Sequence, residues 1–236
     1  MKKTILFLFN SSKYAPEPWV KDGRFNVVSV DYDDTDHSGA HVKGGAHYHL
    51  NIDLSKPNAI IRITNALGDF GLAWPSLVVS FAPCTDLAVS GAAHFARKLE
   101  ADPDCQVKAA NMAKLASKFS CPYAVENPVS VLSSLWRKPD IYFDPIDFSA
   151  YVEGEHPELP DIIPARDAYF KRTCLWTGNG FMLPEKRRAE SLLERERAQF
   201  HGHVKLGGKS ARTKYIRSLT PRGLAKAIYE ANKESI

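Results

Sequence analysis

Short β-branched or aromatic runs, each about the length of one buried strand, alternate with stretches of helical spacing. This alternation limits the possible folds more than any other feature. Thr4–Phe9, Phe25–Asp31, Tyr48–Leu54, Leu77–Phe81 and Tyr123–Val125 read as strands. Asn58–Leu67 and Asp104–Ser120 read as helices, the latter through Ala109, Ala110, Met112, Ala113, Leu115 and Ala116. A Pro-containing piece through Trp19 and Val20 is partly helical, and His37–Gly45 reads as a loop. Strands without a polar face, separated by helices, predict an α/β protein with a doubly wound, mostly parallel sheet.

A length of 236 residues suits one generous domain, or one domain with a small appendage. No apolar run reaches the ~18 residues that span a bilayer, which excludes an integral membrane helix. Met1–Thr4 has a signal-like charge, but the apolar run Ile5–Phe9 is too short for a secretory core, so a first strand fits better. Cys84, Cys105, Cys121 and Cys174 form no CxxC pair and have no His partner at zinc-finger spacing. That pattern argues against a disulfide scaffold or structural zinc and points to a reducing cytoplasm. His47 and His49 alternate on a strand-like stretch without a convincing third ligand, so no metal is expected.

The charge is uneven. Residues 185–236 hold 13 Lys/Arg against 6 Asp/Glu, whereas residues 1–184 hold 18 against 21. A basic segment on a slightly acidic body suggests a polyanionic partner, nucleic acid first. A solvated helical face explains Glu190 to Arg197 equally well, and charge alone leaves the two readings open.

Doubly wound sheets bind ligands beyond the carboxyl ends of their strands. After the first strand comes Phe9-Asn10-Ser11-Ser12, small and polar after the aromatic ring. Without a GxGxxG fingerprint, a dinucleotide pyrophosphate site is poorly supported. Asp31, followed by Tyr32, is placed to accept from a ribose, and Asp53, followed by Leu54, to accept from an adenine amino group. In this order the acids suggest an adenosine-type ligand without a diphosphate. Pro83-Cys84 follows the fourth predicted strand and Glu126-Asn127-Pro128 the fifth. A thiol and a carboxylic acid beside an adenosine pocket suit a nucleophile that attacks a ring and an acid that activates it.

These residues resemble the DNA (cytosine-5) methyltransferases. Pro83-Cys84 looks like the family's nucleophile motif and Glu126-Asn127 like its Glu-Asn motif; Asp31 and Asp53 look like its two donor-site acids. Leu219-Thr220-Pro221-Arg222 is similar to a late motif that opens a helix. Pro83–Gly91 and Thr173–Trp176 are similar to stretches of short phage-type members. The likeness covers about residues 3–140 and is patchy beyond. The first loop lacks the family's glycines, the Gln-x-Arg-x-Arg motif is absent with Lys171-Arg172 the nearest basic pair, and the insert before Leu219 is too short for a full target-recognition domain.

The resemblance implies a Rossmann-like fold of the S-adenosylmethionine-dependent methyltransferase type, with S-adenosylmethionine as cofactor and double- or single-stranded DNA as partner. Residues 1–177 would form the catalytic domain, 178–216 a reduced basic target-recognition segment, and 217–236 a helix packing back on the body. Cys84, Glu126 and Arg172 would be catalytic. Phe9, Asn10, Ser11, Ser12, Asp31, Tyr32, Asp53, Leu54 and Pro83 would hold the donor. Ser90, Lys171, Arg187, Arg188, Lys209, Arg212, Lys214 and Arg217 would bind nucleic acid. Cytosine carbon-5 methylation of low sequence specificity, as in protection of viral DNA in a host cytoplasm, is the leading reading. A transferase acting on a nucleotide monomer or adding another one-carbon group, a silent DNA-binding relative and a cysteine hydrolase stay open.

Overall fold

The computed structural model describes residues 1–33, 40–42, 47–190 and 210–236, with residues 40–42 and Ala211 described through their backbone only. The described strands are β1 (Thr4–Leu8), β2 (Asn26–Asp31), β3 (Ala40–Val42), β4 (His47–Asn51), β5 (Pro75–Ser80), β6 (Tyr123–Pro128), β7 (Ile141–Phe143) and β8 (Thr173–Gly178). They form one sheet in the order β3-β4-β2-β1-β5-β6-β8-β7. Pairings from β4 through β6 are parallel, whereas β8 runs antiparallel to both β6 and β7, and β3 antiparallel to β4. The chain winds outward from β1 through β2 to β4, then crosses to β5 and winds the other way. The protein is therefore an α/β, doubly wound, mostly parallel sheet of the Rossmann-like type. Its switch point lies between β1 and β5, where such folds open a crevice.

Alternation along the central strands builds two cores. Leu6, Leu8, Val28, Val30 and Val78 face one side, with Ala59, Ile63 and Leu67 of α2 (Ala59–Asp69) and Ala109, Ala110 and Ala113 of α4 (Cys105–Ala113). Ile5, Phe7, Val27, Leu77 and Val79 face the other, with Trp19 of α1 (Glu17–Asp22). Leu224, Ala227 and Ile228 of the terminal helix (Arg222–Asn232, α7 below) complete that side. Leu224 and Ile228 each contribute roughly 1.5–3 kcal/mol of burial, so the chain end is part of the core. A Cβ at Gly223 would collide with the Phe148 carbonyl, and glycine there lets the helix approach residues 145–151. The remaining described helices are α3 (Phe95–Ala101), α5 (Leu132–Leu135), α6 (Ala211–Ser218) and α7 (Arg222–Asn232).

Three expectations change. Asp104–Ser120 is not one helix: α4 ends at Ala113, and Lys114–Phe119 tighten into a 3-10 turn that stops at Ser120, φ 55°. Ala40–Val42, read as loop, pair with β4 as an edge strand; the rest of His37–Gly45 lies outside the described residues, apart from these three. Glu126 and Asn127 do not follow β6 but lie inside it, because β8 pairs with β6 through Pro128.

Candidate active site

β5 ends at Ser80, and the Phe81 N–H donates to the Leu8 carbonyl at 3.0 Å, so the following loop starts at the switch point. The buried Asn127 amide donates to the Ala82 carbonyl at 3.0 Å, just before Pro83 and Cys84. The Cys84 carbonyl accepts from Leu87 at 3.0 Å and Ala88 at 2.8 Å, which turns the chain sharply. Val89 N–H donates to the Val129 carbonyl at 3.1 Å and Val131 N–H to the Leu87 carbonyl at 3.0 Å, around an antiparallel Ala88–Ser130 bridge. On the outer side Lys98 donates to the Thr85 carbonyl at 2.5 Å and to Asp86 at 2.8 Å. The Pro83-Cys84 loop is thus fastened to the strand that carries Glu126 and to its exit loop.

Cys84 is half-buried. Burial pushes its thiol pKa up, the Glu126 carboxylate pushes it further, and Lys171 and Lys98 pull it back. Burial also raises the half-buried Glu126 carboxyl, opposed by Lys171. Cys84, Glu126 and Lys171 therefore share one electrostatic environment although they come from three separate parts of the chain. Arg172 is placed elsewhere: its guanidinium lies 3.4 Å from Asp144 and 5.4 Å from the Tyr142 ring centroid. Between neighbouring residues of an extended segment the facing direction alternates, and it is Lys171 whose charge reaches the pair. Tyr169, buried beside Tyr14, Ile163 and Leu219, forms an apolar wall; burial raises its pKa, with Asp167 and Glu126 adding to that.

At the other half of the crevice, Phe9 leaves β1 with φ 54° and Asn10 turns in, donating to the Ser12 carbonyl at 2.9 Å and the Ser29 hydroxyl at 3.3 Å. Among the described residues, Asn10 Oδ1 is a buried acceptor with no hydrogen-bond partner, and the Ser80 hydroxyl at the end of β5 has none either. Ser11 is exposed, whereas the buried Ser12 caps Tyr14 N–H at 3.3 Å. Asp31 ends β2; burial raises its carboxyl pKa, while hydrogen bonds from Tyr32 N–H and the Ser11 hydroxyl oppose the rise. The Tyr32 side chain is exposed and Leu54 is buried. Asp53 is engaged locally: it accepts from Ser55 N–H at 2.9 Å and the Ser55 hydroxyl at 2.6 Å, which holds its carboxyl below the usual range. An open recess of about 280 Å³ lined by Leu50, Ile52, Arg62 and Asp69 lies on the β4–α2 side, away from Cys84.

The basic residues divide. Arg212, Lys214 and Arg217 are exposed on α6, whose Thr213 and Ile216 face inward. Lys171 donates to the Arg217 carbonyl at 3.4 Å, joining that helix to the crevice. Arg188 binds the buried Asp147 at 2.8 Å and Arg187 binds Glu185 at 2.9 Å, while Pro83 and Ser90 are exposed on the Cys84 loop. Lys209 lies outside the described residues. Among the described residues no His/Cys/Asp/Glu group is arranged to hold a metal; His47 Nε2 lies 3.0 Å from the Ser29 hydroxyl. No described helix is long and apolar enough to cross a membrane.

One clamp joins parts of the chain that no local pattern pairs. Arg222 Nε and Nη2 both donate to Asp167 Oδ1, at 2.9 and 2.7 Å, and its backbone N–H donates to Asp167 Oδ2 at 2.6 Å. Arg166 and Asp167 carry φ of 60° and 51°, so the ion pair holds a strained turn just before Tyr169 and Lys171. Thr220-Pro221-Arg222 was the available signal, as a helix start; its partner 55 residues away was not.

No protein-family model matches the chain, and no curated protein matches it. Among solved structures, it is similar to a prophage-encoded E. coli protein assigned as a DNA modification methyltransferase, at 14% identity and TM-score 0.44, covering 75% of this chain and 46% of that one. It is also similar to a 4-hydroxyisoleucine dehydrogenase complexed with NADH, at 17% identity and TM-score 0.26, covering 51% of each chain. The chain thus spans about half the length of these two structures. Likeness this distant carries no functional information, and the fold assignment stands on strand order and direction.

Proposed function

We propose that the protein is an S-adenosylmethionine-dependent DNA methyltransferase acting on carbon 5 of cytosine, with Cys84 as nucleophile and Glu126 as ring-activating acid. The observation that carries this reading is the fastening of the Cys84 loop to the Glu126 strand, through Asn127 to Ala82 and the Ala88–Ser130 bridge, with the Glu126 charge raising the Cys84 pKa. A thiol and an acid held at one end of a doubly wound sheet suit addition to a ring that must be protonated elsewhere as it is attacked.

Carbon 5 of cytosine is too weak a nucleophile to take a methyl group unaided. Attack of the Cys84 sulfur on carbon 6, with loss of the thiol proton to solvent, turns the ring into an enamine. Glu126, whose burial favours its protonated form, donates toward the ring nitrogen as negative charge develops there. Lys171 favours the thiolate in the same pocket. Once carbon 5 carries the methyl group, its proton would pass to water in the crevice, the C–H electron pair restoring the double bond as the C6–S bond breaks and the Cys84 thiolate leaves. The donor supplies the methyl group as an electrophile when bound. The orphaned acceptor of Asn10 and the carboxylate of Asp31, at the ends of β1 and β2, fit the polar groups of an adenosine-type ligand. A cytosine inside a duplex is inaccessible, so the target is flipped out or already unpaired.

With residues 178–216 in place of a recognition domain, and exposed cations on α6 that would track phosphates, the modified context should be very short and the salt dependence of binding strong. The test is mass analysis of nucleosides from DNA of cells making the wild-type protein or its Cys84→Ser variant. 5-Methylcytosine in the first alone supports the reading; unmodified cytosine in both contradicts it.

A further inference from the structure

The turn that carries Cys84 is held on its outer side by a lysine that the mechanism above does not use. Four carbonyls of this turn are engaged: Cys84 accepts from Leu87 and Ala88, Leu87 from Val131, Ala88 from Gly91 at 2.9 Å, and Thr85 from Lys98 Nζ at 2.5 Å. Backbone N–H groups serve the other three. Of the four, only the Thr85 carbonyl takes its bond from a side chain, and that side chain is 13 residues away. The same Nζ donates to the Asp86 carboxylate at 2.8 Å, so Lys98 grips the two residues that directly follow Cys84.

Lys98 belongs to a segment with little else to hold it. No residue between Ala88 and Ala109 is buried. The 3-10 turn Val89–His94 and the seven-residue α3 bury none of their side chains, and a helix of two turns is not stable in water on its own. Among the described residues, Lys98 makes the only side-chain hydrogen bonds between residues 89–101 and the rest of the chain. An exposed ion pair contributes little to stability. Here the Lys98 and Asp86 side chains are only 25% and 34% exposed, and the ammonium also makes a charge-assisted bond to a backbone carbonyl.

We propose that Lys98 is a positioning residue for the nucleophile, acting through the Thr85 carbonyl and Asp86 to hold the Cys84 turn and α3 together. This rests on the reading of Cys84 as the methyltransferase nucleophile and adds a residue to that site. With both bonds made, the peptide after Thr85 cannot rotate without breaking one of them, and the adjacent Cys84 keeps its place relative to the strand that carries Glu126. A misplacement of about 1 Å can lower a rate by on the order of 100-fold. The Lys98 charge also lowers the Cys84 pKa, against burial and Glu126.

The test compares Lys98→Met and Lys98→Arg with wild type by amide hydrogen exchange and by methyl transfer to a cytosine-containing DNA strand. In Lys98→Met the Leu87 and Ala88 amides, which donate to the Cys84 carbonyl, should exchange about 10- to 100-fold faster, the range for a lost hydrogen bond from a charged group, with β5 unchanged. Its kcat should fall by about 10- to 100-fold, with KM for DNA and for S-adenosylmethionine within about twofold of wild type, because Lys98 touches neither. Lys98→Arg keeps a cation that can donate to both oxygens and should recover most of both losses. Asp86→Asn leaves the Thr85 bond in place and should speed the same amides by a smaller factor, which keeps the test open if Lys98→Met does not fold. Unchanged exchange at Leu87 and Ala88 in Lys98→Met, no recovery in Lys98→Arg, or a raised KM at constant kcat overturns the inference. Exchange needs no turnover. Faster exchange in a protein whose wild type modifies no cytosine would sink the methyltransferase reading alone, and cytosine methylation with exchange and kcat untouched in Lys98→Met would sink this inference alone.

Discussion

The two halves of the crevice are built in opposite ways. On the β1–β2–β4 side the loop carboxylates and Ser12 are engaged by close neighbours in sequence, Asp53 by Ser55, Ser12 by Tyr14 and Asp31 in part by Tyr32, while Asn10 reaches across to Ser29. On the β5–β6–β8 side the groups are set by distant chain: Asn127 reaches 45 residues back to Ala82, Arg222 reaches 55 residues back to Asp167, and Lys171 arrives on the segment that enters an antiparallel strand. Local turns suffice to present hydrogen-bond partners to a bound ligand. On the proposed mechanism a nucleophile and an acid act on opposite sides of one ring, which calls for tertiary fastening because their mutual position is the chemistry.

The sharpest way to break this comparison is to remove the thiol alone. Cys84→Ser should lower methyl transfer by at least about three orders of magnitude, because a hydroxyl is a far weaker nucleophile near neutral pH. Ligand-induced stabilisation by S-adenosylhomocysteine should survive in the same variant. If both disappear together, the two halves are not separable.

Next in size is the long-range clamp. Arg222→Met leaves the Asp167 carboxylate, on a side chain 2% exposed, without its guanidinium, at a cost of about 3–5 kcal/mol in denaturant unfolding. Adding Asp167→Asn should recover part of that loss by removing the stranded charge. A loss below ~1 kcal/mol for Arg222→Met would show that the turn before Lys171 holds itself.

On the donor side, Asp31→Ala should weaken S-adenosylhomocysteine binding by about 10- to 100-fold in calorimetry, the range for a lost hydrogen bond to a charged group. Asp53→Ala should cost much less affinity, because its carboxylate is already occupied by Ser55. The reverse order would exchange the roles of the two acids.

The chemical half can be probed without turnover. Glu126 is the second cause of the raised Cys84 pKa, after burial. Glu126→Gln should therefore lower that pKa and speed Cys84 alkylation at pH 8 by about three- to tenfold, read peptide by peptide in mass spectra. Lys171→Met removes a charge that pulls the pKa down and should slow alkylation. An unchanged rate in both variants would mean that the thiol and carboxyl do not share a pocket.

The smallest effect lies at the rim. His156 is 1% exposed, its Nδ1 accepts from Leu159 N–H at 3.2 Å, and burial pushes its pKa below the usual value. The unfolded chain takes up this proton first, so the stability it contributes is present above about pH 6.5 and is lost as pH falls through the lowered value. His156→Asn should flatten melting temperature against pH as pH falls below about 6.5. A slope unchanged by the substitution would assign that pH dependence to other groups.

How much of this was legible follows the same division. The central strands were readable because Ile5–Leu8 and Leu77–Val79 are apolar on both faces, and Val27–Val30 is so apart from Ser29, a property of short windows. Asp31, Asp53 and Cys84 were readable as strand-end residues for the same reason. Glu126 was expected beyond its strand and lies inside it, because β6 is extended by pairing with β8, and Thr173–Gly178 was not recognised as a strand from its own residues. Arg172, expected to be catalytic, pairs with Asp144, and it is its neighbour Lys171 whose charge bears on Cys84 and Glu126; one residue of parity reverses the facing direction of a side chain. The Arg222–Asp167 clamp and the Asn127 brace are contacts across tens of residues, and no local pattern encodes the partner.

The central claim is that Cys84 and Glu126 act on one cytosine ring. Its most direct test is intact-protein and peptide mass spectrometry after incubation with S-adenosylmethionine and single-stranded DNA carrying 5-fluorocytosine. Fluorine at carbon 5 cannot leave as a proton does, so the adduct should persist. The account predicts a covalent complex at the Cys84 peptide in wild type, absent in Cys84→Ser and formed far more slowly in Glu126→Gln. An adduct mapped to Cys105, Cys121 or Cys174, or no adduct from a protein that methylates unsubstituted cytosine at carbon 5, would contradict it.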